Sequence, residues 1–219
     1  MTYLDLVNDV LIRLREDTID AIGGSAQQEL EDPVATMVKQ FVNDAKRLVE
    51  DAHTWNGLRE EWTFTTVPGT AVYPLTNARE YAIIEDIYSV NGNELDEAPL
   101  SKIRRDALRQ GQNTPRYYAV DGVDTSGDVQ LRLSPTPNVA VEYVTYGYQR
   151  TPDLQTDTDV LKVPSKPVVY YALGLAARER GEVGGQTSTD IFAMAKSYLN
   201  DAIAIDASLN SLDDIWFTI

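Results

Sequence analysis

The sequence predicts an α+β fold: a bundle of about four helices with an antiparallel β region inserted between the second and third long helices. Three observations predict it. Apolar residues recur with helical period over 2–16, 33–52, 168–180 and 189–207. Between 61 and 163 the period shifts to short alternating runs. Turn dipeptides punctuate those runs: Pro68-Gly69 and Asn91-Gly92. The expected division is 1–60 with 164–210 as the helical bundle, 61–163 as a β-rich platform with one short helix, and 211–219 as a docking tail.

Each element has a local reason. Thr2 is an N-cap with Asp5 three residues on, and Leu4, Val7, Leu11 and Leu14 make one face of the helix that follows. Residues 17–31 are polar, include Gly23-Gly24-Ser25, and read as a long mobile loop. Asp32-Pro33 opens the second helix. Val34, Met37, Val38, Phe41, Val42, Ala45, Leu48, Val49 and Ala52 form its apolar stripe, while Lys39, Asn43, Asp44, Lys46, Arg47 and Glu50 fill the polar side. Asn56-Gly57 ends it.

Glu61–Thr66 alternates as a half-buried strand, and Ala71–Tyr73 reads as a short strand returning from Pro68-Gly69. Ala82–Val90 is a strand that turns at Asn91-Gly92. Residues 99–110 form a short helix stopped at Gly111. A three-stranded meander then runs from Asn113 to Gln149, bracketed by Pro115, Pro135 and Pro137. Pro164 and Pro167 introduce a helix apolar on nearly every side (Val168, Val169, Tyr170, Tyr171, Ala172, Leu173), as expected at the centre of a bundle. The last helix presents Ile191, Met194, Ala195, Tyr198, Leu199, Ala202 and Ile205 inward.

The chain has 219 residues, 43% hydrophobic and 24% charged, the composition of an ordinary globular domain. It has no cysteine, so disulfides, thiolate catalysis and cysteine-type zinc sites are excluded. The start carries no basic region followed by an apolar core, and no apolar run is long enough to span a bilayer. Folding in the cytoplasm without a membrane is the expectation. The net charge of −15 is spread along the whole chain rather than gathered in a tail. Such a surface repels phosphates and disfavours tight nucleic-acid binding. It serves solubility, or a surface past which DNA slides without sticking.

No residue pattern carries a catalytic signature. The only histidine, His53, stands near the end of the second helix without a metal-ligand partner in sequence, and is expected to face water or the terminal carbonyls. There is no nucleophile elbow and no phosphate loop ending in Gly-Lys-Ser/Thr; Gly184-Gly185 reads as an interhelical turn. The acidic groups Asp153, Asp157 and Asp159, and Asp121, Asp124 and Asp128, lack calcium-loop spacing. No catalytic, cofactor-binding or metal residues are assigned. Two-carboxylate sugar hydrolysis has no specific support, and a hydrolase acting on cell wall or polysaccharide or a generic protein-binding module stand as alternatives.

Two surfaces are less ordinary. Lys102, Arg104, Arg105 and Arg109 concentrate positive charge on one short helix of an acidic chain. They either balance local acids such as Asp96, Glu97 and Asp106, or contact an acidic partner such as the next copy of the chain. On a helix Lys102, Arg105 and Arg109 share a face and Arg104 lies beside it. The C-terminus places Ile215, Trp216, Phe217 and Ile219 together, each costly to leave in water at about 1.5–3 kcal/mol. This tail either folds on its own bundle or docks on a partner. Tyr117, Tyr118, Tyr143, Tyr146 and Tyr148 are candidates for core and subunit contacts.

The order of parts carries a resemblance. Its residues are the Leu4–Leu14 helix, the second helix ending near Trp55, and Trp62-Thr63-Phe64. Pro115, Tyr117 and Tyr118 then precede Asp121-Gly122, and Leu131, Leu133, Pro135 and Pro137 follow. Tyr143-Val144-Thr145-Tyr146 and the Tyr170–Arg180 helix, ending in Glu179-Arg180-Gly181, complete the set. In this order the chain resembles the head-to-tail adaptor (connector) proteins of tailed bacteriophages, the group that includes tail tubular protein A of short-tailed phages. The resemblance implies a structural virion protein and not an enzyme. It implies a homo-oligomeric ring of about twelve copies beneath the portal protein, whose β part meets the tail nozzle or tail tube protein. It also implies a lumen that passes DNA during ejection, and no cofactor.

Overall fold

The structure, a computed structural model, describes residues 1–23, 33–79, 82–109, 111–181 and 188–209. It is α+β, and the chain divides into two compact units, Met1–Leu58 with Thr151–Ile219, and Arg59–Arg150.

In the first unit, α1 (Tyr3–Leu14) opens on a complete capping box: the Asp5 amide donates to Thr2 Oγ1 and the Thr2 amide donates to Asp5 Oδ2. Arg15 ends it in the left-handed region, at φ 61°. Residues 17–23, expected to be mobile, are tied down. The Asn8 side chain exchanges two 2.9 Å hydrogen bonds with the Ile19 backbone. Ile22 is buried, its amide donating to Asp157 and its carbonyl accepting from Lys39. The expected glycine-rich part of this loop lies outside the described residues.

The second helix, α2 (Pro33–Asp51), stops short of its sequence pattern. At this end the buried Trp55 indole Nε1 donates 2.7 Å to the Val49 carbonyl, which also accepts from the Ala52 amide at 3.2 Å. The buried face is also rotated from the expected stripe. Leu48 is 52% exposed, whereas Lys46 and Glu50, assigned to the polar side, are buried.

Helix α4 (Ser165–Arg180) packs against α1, α2 and α5 (Ser188–Leu209), in keeping with its all-round apolar sequence. Val168, Val169, Ala172, Ala176 and Ala177 are buried. At Gly174 the Phe192 ring lies 2.9 Å from where a Cβ would stand, so α4 and α5 approach closely there. Residues 151–163, placed with the sheet in the sequence division, pack with the helices. Leu154, Leu161 and Val163 are buried, and Asn43 holds the Leu154 backbone by two hydrogen bonds.

The second unit contains β1 (Arg59–Thr65), β2 (Val72–Arg79), β3 (Ile83–Ser89), β4 (Asp96–Glu97), α3 (Leu100–Ala107), β5 (Tyr117–Val123), β6 (Asp128–Ser134) and β7 (Glu142–Tyr148). These strands make two sheets, β1-β7-β3 and β2-β6-β5-β4, antiparallel throughout except at β4–β5. Two expectations are corrected. The strands on either side of Pro68-Gly69 do not form a hairpin: β1 pairs with β7 and β2 with β6. Nor is 113–149 a meander. β5 and β6 do form a hairpin, but β7 crosses to the other sheet and becomes its central strand.

The physical reason lies in the inner rows. The main apolar row of each sheet lies on its inner face, and the crossing lets those faces meet. Phe64 of β1 stacks on Tyr73 of β2 and on Tyr143 of β7, both at 5.4 Å between ring centroids. Trp62, Leu75, Ile87, Tyr118, Val129, Leu131 and Leu133 complete this core. The short helix α3 lies on the outer face of the second sheet, where Ile103 packs with Ala98 and Ala119.

Candidate functional site

The basic helix α3 does not present its charges alike. Arg104 reaches the Asp121 carboxylate at 2.5 Å, and Arg132 of β6 reaches the other oxygen of Asp121 at 2.6 Å. The Asp121 side chain is only 6% exposed. Burial pushes its carboxyl up, but the hydrogen bonds and charges of Arg132 and Arg104 outweigh that and hold it below the ordinary carboxylate value. Lys102 lies with Nζ 4.2 Å from the centroid of the Tyr117 ring, a cation–π contact within the same unit. Arg105 and Arg109 are exposed and have no ion-pair partner among the described residues. Between them Leu108 is 88% exposed. Of the four cations singled out in the sequence, two are therefore occupied within the unit and two face outward.

The outer face of the β1-β7-β3 sheet has the opposite character. Cross-strand register puts Tyr146 of β7 between Glu61 of β1 and Asp86 of β3 in one row. The next row is Thr63, Val144 and Tyr88. Tyr146 is 43% exposed, and its ring centroid is 6.4 Å from that of Tyr88. Neither Glu61 nor Asp86 has an ion-pair partner among the described residues. The alternation of β7 decides this: Tyr143, Thr145 and Gly147 point inward, so Val144, Tyr146 and Tyr148 point outward. Of the five tyrosines named as candidates, Tyr118 and Tyr143 are core, Tyr117 serves Lys102, Tyr148 is nearly buried and accepts from Arg59, and Tyr146 alone is openly exposed. Glu61 and Asp86 escaped the sequence reading; the register that joins them to Tyr146 is not visible along the chain.

The acidic clusters disperse. Asp153 pairs with Arg47, Asp157 accepts from the Ile22 amide, and Asp159 accepts from the amides of Gln155 and Thr156. Asp124 accepts from the amides of Ser126 and Asp128, and Asp128 pairs with Arg79. Among the described residues no group of three or more histidine or acidic side chains is placed to hold a metal. His53 is corrected: it lies beyond the end of α2 and turns away from water. Its Nε2 is 3.3 Å from Asp206 Oδ2 of α5, and its ring stands edge-on to Trp55 at 5.1 Å. Asp206 also accepts from the Asn56 amide, so this cluster ties the end of α2 to α5. Gly184-Gly185 and the tail residues Ile215, Trp216, Phe217 and Ile219 lie outside the described residues. Among the described residues no helix is long and apolar enough to cross a membrane.

The acids are spent on turns and ion pairs, while a charged helix and an aromatic sheet face stay exposed. The chain belongs to the SU10 adaptor protein family, whose model matches residues 1–213, and it is a structural phage adaptor of the head-to-tail junction. No curated protein matches it.

Proposed function

We propose that copies of this chain form a ring between the phage portal and the tail nozzle or tail tube, and that DNA passes through its lumen without binding tightly. The observation that carries this reading is the match of the adaptor family over residues 1–213, nearly the whole chain. The charge of −15 supports it physically, since a like-charged wall repels the phosphate backbone. Twelve copies is the number the family resemblance implies. The helical unit is assigned to the portal side and the sheet unit to the tail side. The tail residues Ile215, Trp216, Phe217 and Ile219 are assigned to docking on the portal or on a neighbouring copy.

The test is co-assembly. The purified chain mixed with the portal protein of the same phage should give a ring seen by electron microscopy and by a mass of many copies. A chain that folds cleanly by circular dichroism and does not bind its portal sinks the reading. Deleting residues 212–219 should abolish assembly and leave Tm nearly unchanged; a large fall in Tm would assign the tail to the core of the single chain instead.

A further inference from the structure

We propose that the outward face of α3 in one copy seats on the outer face of the β1-β7-β3 sheet in the next. Arg105 and Arg109 would meet Glu61 and Asp86, and Leu108 would lie against Tyr146 and Tyr88. The proposal rests on the ring reading above and adds to it the two faces that join.

Three observations carry it. The first is chemical fit. Two guanidiniums without an ion-pair partner among the described residues flank an exposed leucine, and two carboxylates in the same condition flank an exposed tyrosine. Arg105 lies in the last turn of α3 and Arg109 two residues beyond its end, where the Leu108 and Arg109 amides donate to the Arg105 and Asp106 carbonyls and keep the chain turning. Glu61 and Asp86 stand on strands separated by β7, about 10 Å apart. Arginine's long stem reaches across that separation, and a guanidinium that passes over Tyr146 gains a cation–π contact as well.

The second is direction. α3 covers the outer face of one sheet, and the Tyr146 row is the outer face of the other. The two sheets pack through their inner faces, so the two surfaces point oppositely within one rigid core. A single copy cannot bring them together. Contact between different patches on successive copies is heterologous, the geometry that closes into a ring when the rotation is right.

The third is the field. Copies carrying −15 each repel one another in general. A local cationic patch facing a local anionic one is then what fixes where and in which register two copies approach.

Charge reversal tests it, with assembly on the portal of the same phage read by sedimentation and electron microscopy. Arg105→Glu with Arg109→Glu makes both faces acidic; Glu61→Lys with Asp86→Lys makes both basic. Each double variant should keep the wild-type circular dichroism and Tm but weaken ring assembly roughly tenfold or more. An equimolar mixture of the two should regain it, since every junction then pairs an acidic face with a basic one. The chain carrying all four changes should regain it too. Rings indifferent to both reversals, or a mixture that stays unassembled, overturn the pairing and leave the ring reading standing. A wild-type chain that makes no ring with its portal overturns the ring, and the pairing with it.

Discussion

Lys46 and Glu50 stand one turn apart on α2 with Nζ 3.0 Å from Oε2, and neither side chain is exposed at all. The pair is closed by Thr151, the first residue of the chain's return to the helical unit. Lys46 Nζ donates 2.7 Å to the Thr151 carbonyl, and Thr151 Oγ1 donates 2.6 Å to Glu50 Oε1. Removing one ion from such a pair strands the other in a poor solvent. Lys46→Met is therefore expected to destabilise the protein by about 3–5 kcal/mol in urea unfolding. Lys46→Met combined with Glu50→Leu should recover most of that loss, because no buried charge is left unpaired. A double variant as unstable as the single one would show that the pair itself, and not the stranded ion, carries the energy.

Acid should weaken the sheet unit through Asp121. Its carboxyl is held below the ordinary value of 3.8 in the folded chain. The unfolded state therefore binds the proton first, and the stabilisation is fully present above 3.8 and lost as pH falls below it. Wild-type stability should drop across that acidic window, and Asp121→Asn should drop less steeply while starting lower at neutral pH. Parallel pH profiles for the two proteins would argue against this role.

Gly147 is the tightest point of the β1-β7-β3 sheet. A Cβ there would lie 2.0 Å from the Ile83 carbonyl oxygen and 3.0 Å from the Trp62 ring. The obstacle on the β3 side is backbone, so it cannot swing aside. Gly147→Ala should cost about 1–3 kcal/mol by overpacking and loosen amide-exchange protection in β3 before β1.

Trp55 joins packing to helix termination. It is 1% exposed and its indole donates to the Val49 carbonyl. Trp55→Phe keeps an aromatic ring but removes one of two hydrogen bonds to that carbonyl, which still accepts from the Ala52 amide at 3.2 Å, and should lower stability by about 0.5–1.5 kcal/mol. Near-ultraviolet circular dichroism of the variant should show whether the ring stays packed. An unchanged melt would mean that the Ala52 amide alone satisfies the carbonyl.

Much of the fold was legible locally. The capping box at Thr2 and Asp5, the central character of α4, the hairpin turn at Asn91-Gly92 and the basic helix α3 all follow from spacing and residue type within a few turns of chain. The candidate site was legible by half. The cluster of cations on α3 can be read from the sequence, but not that Arg104 turns to Asp121 while Arg105 and Arg109 stay outward. Its counterpart was hidden, because Glu61, Asp86 and Tyr146 are far apart in sequence and become neighbours only through β7.

By itself, then, the sequence determined the order and type of most helices and strands, the cap of α1 and how much charge the surface must carry. Those properties depend on period, caps and composition, and residues within a few positions of one another settle them. Only the tertiary structure decided that β7 leaves β6 to pair with β1 and β3, and that Lys46 is buried while Leu48 is not. Strand partners are chosen by which inner faces can meet, and a charge can be buried only where distant residues such as Thr151 supply its hydrogen bonds.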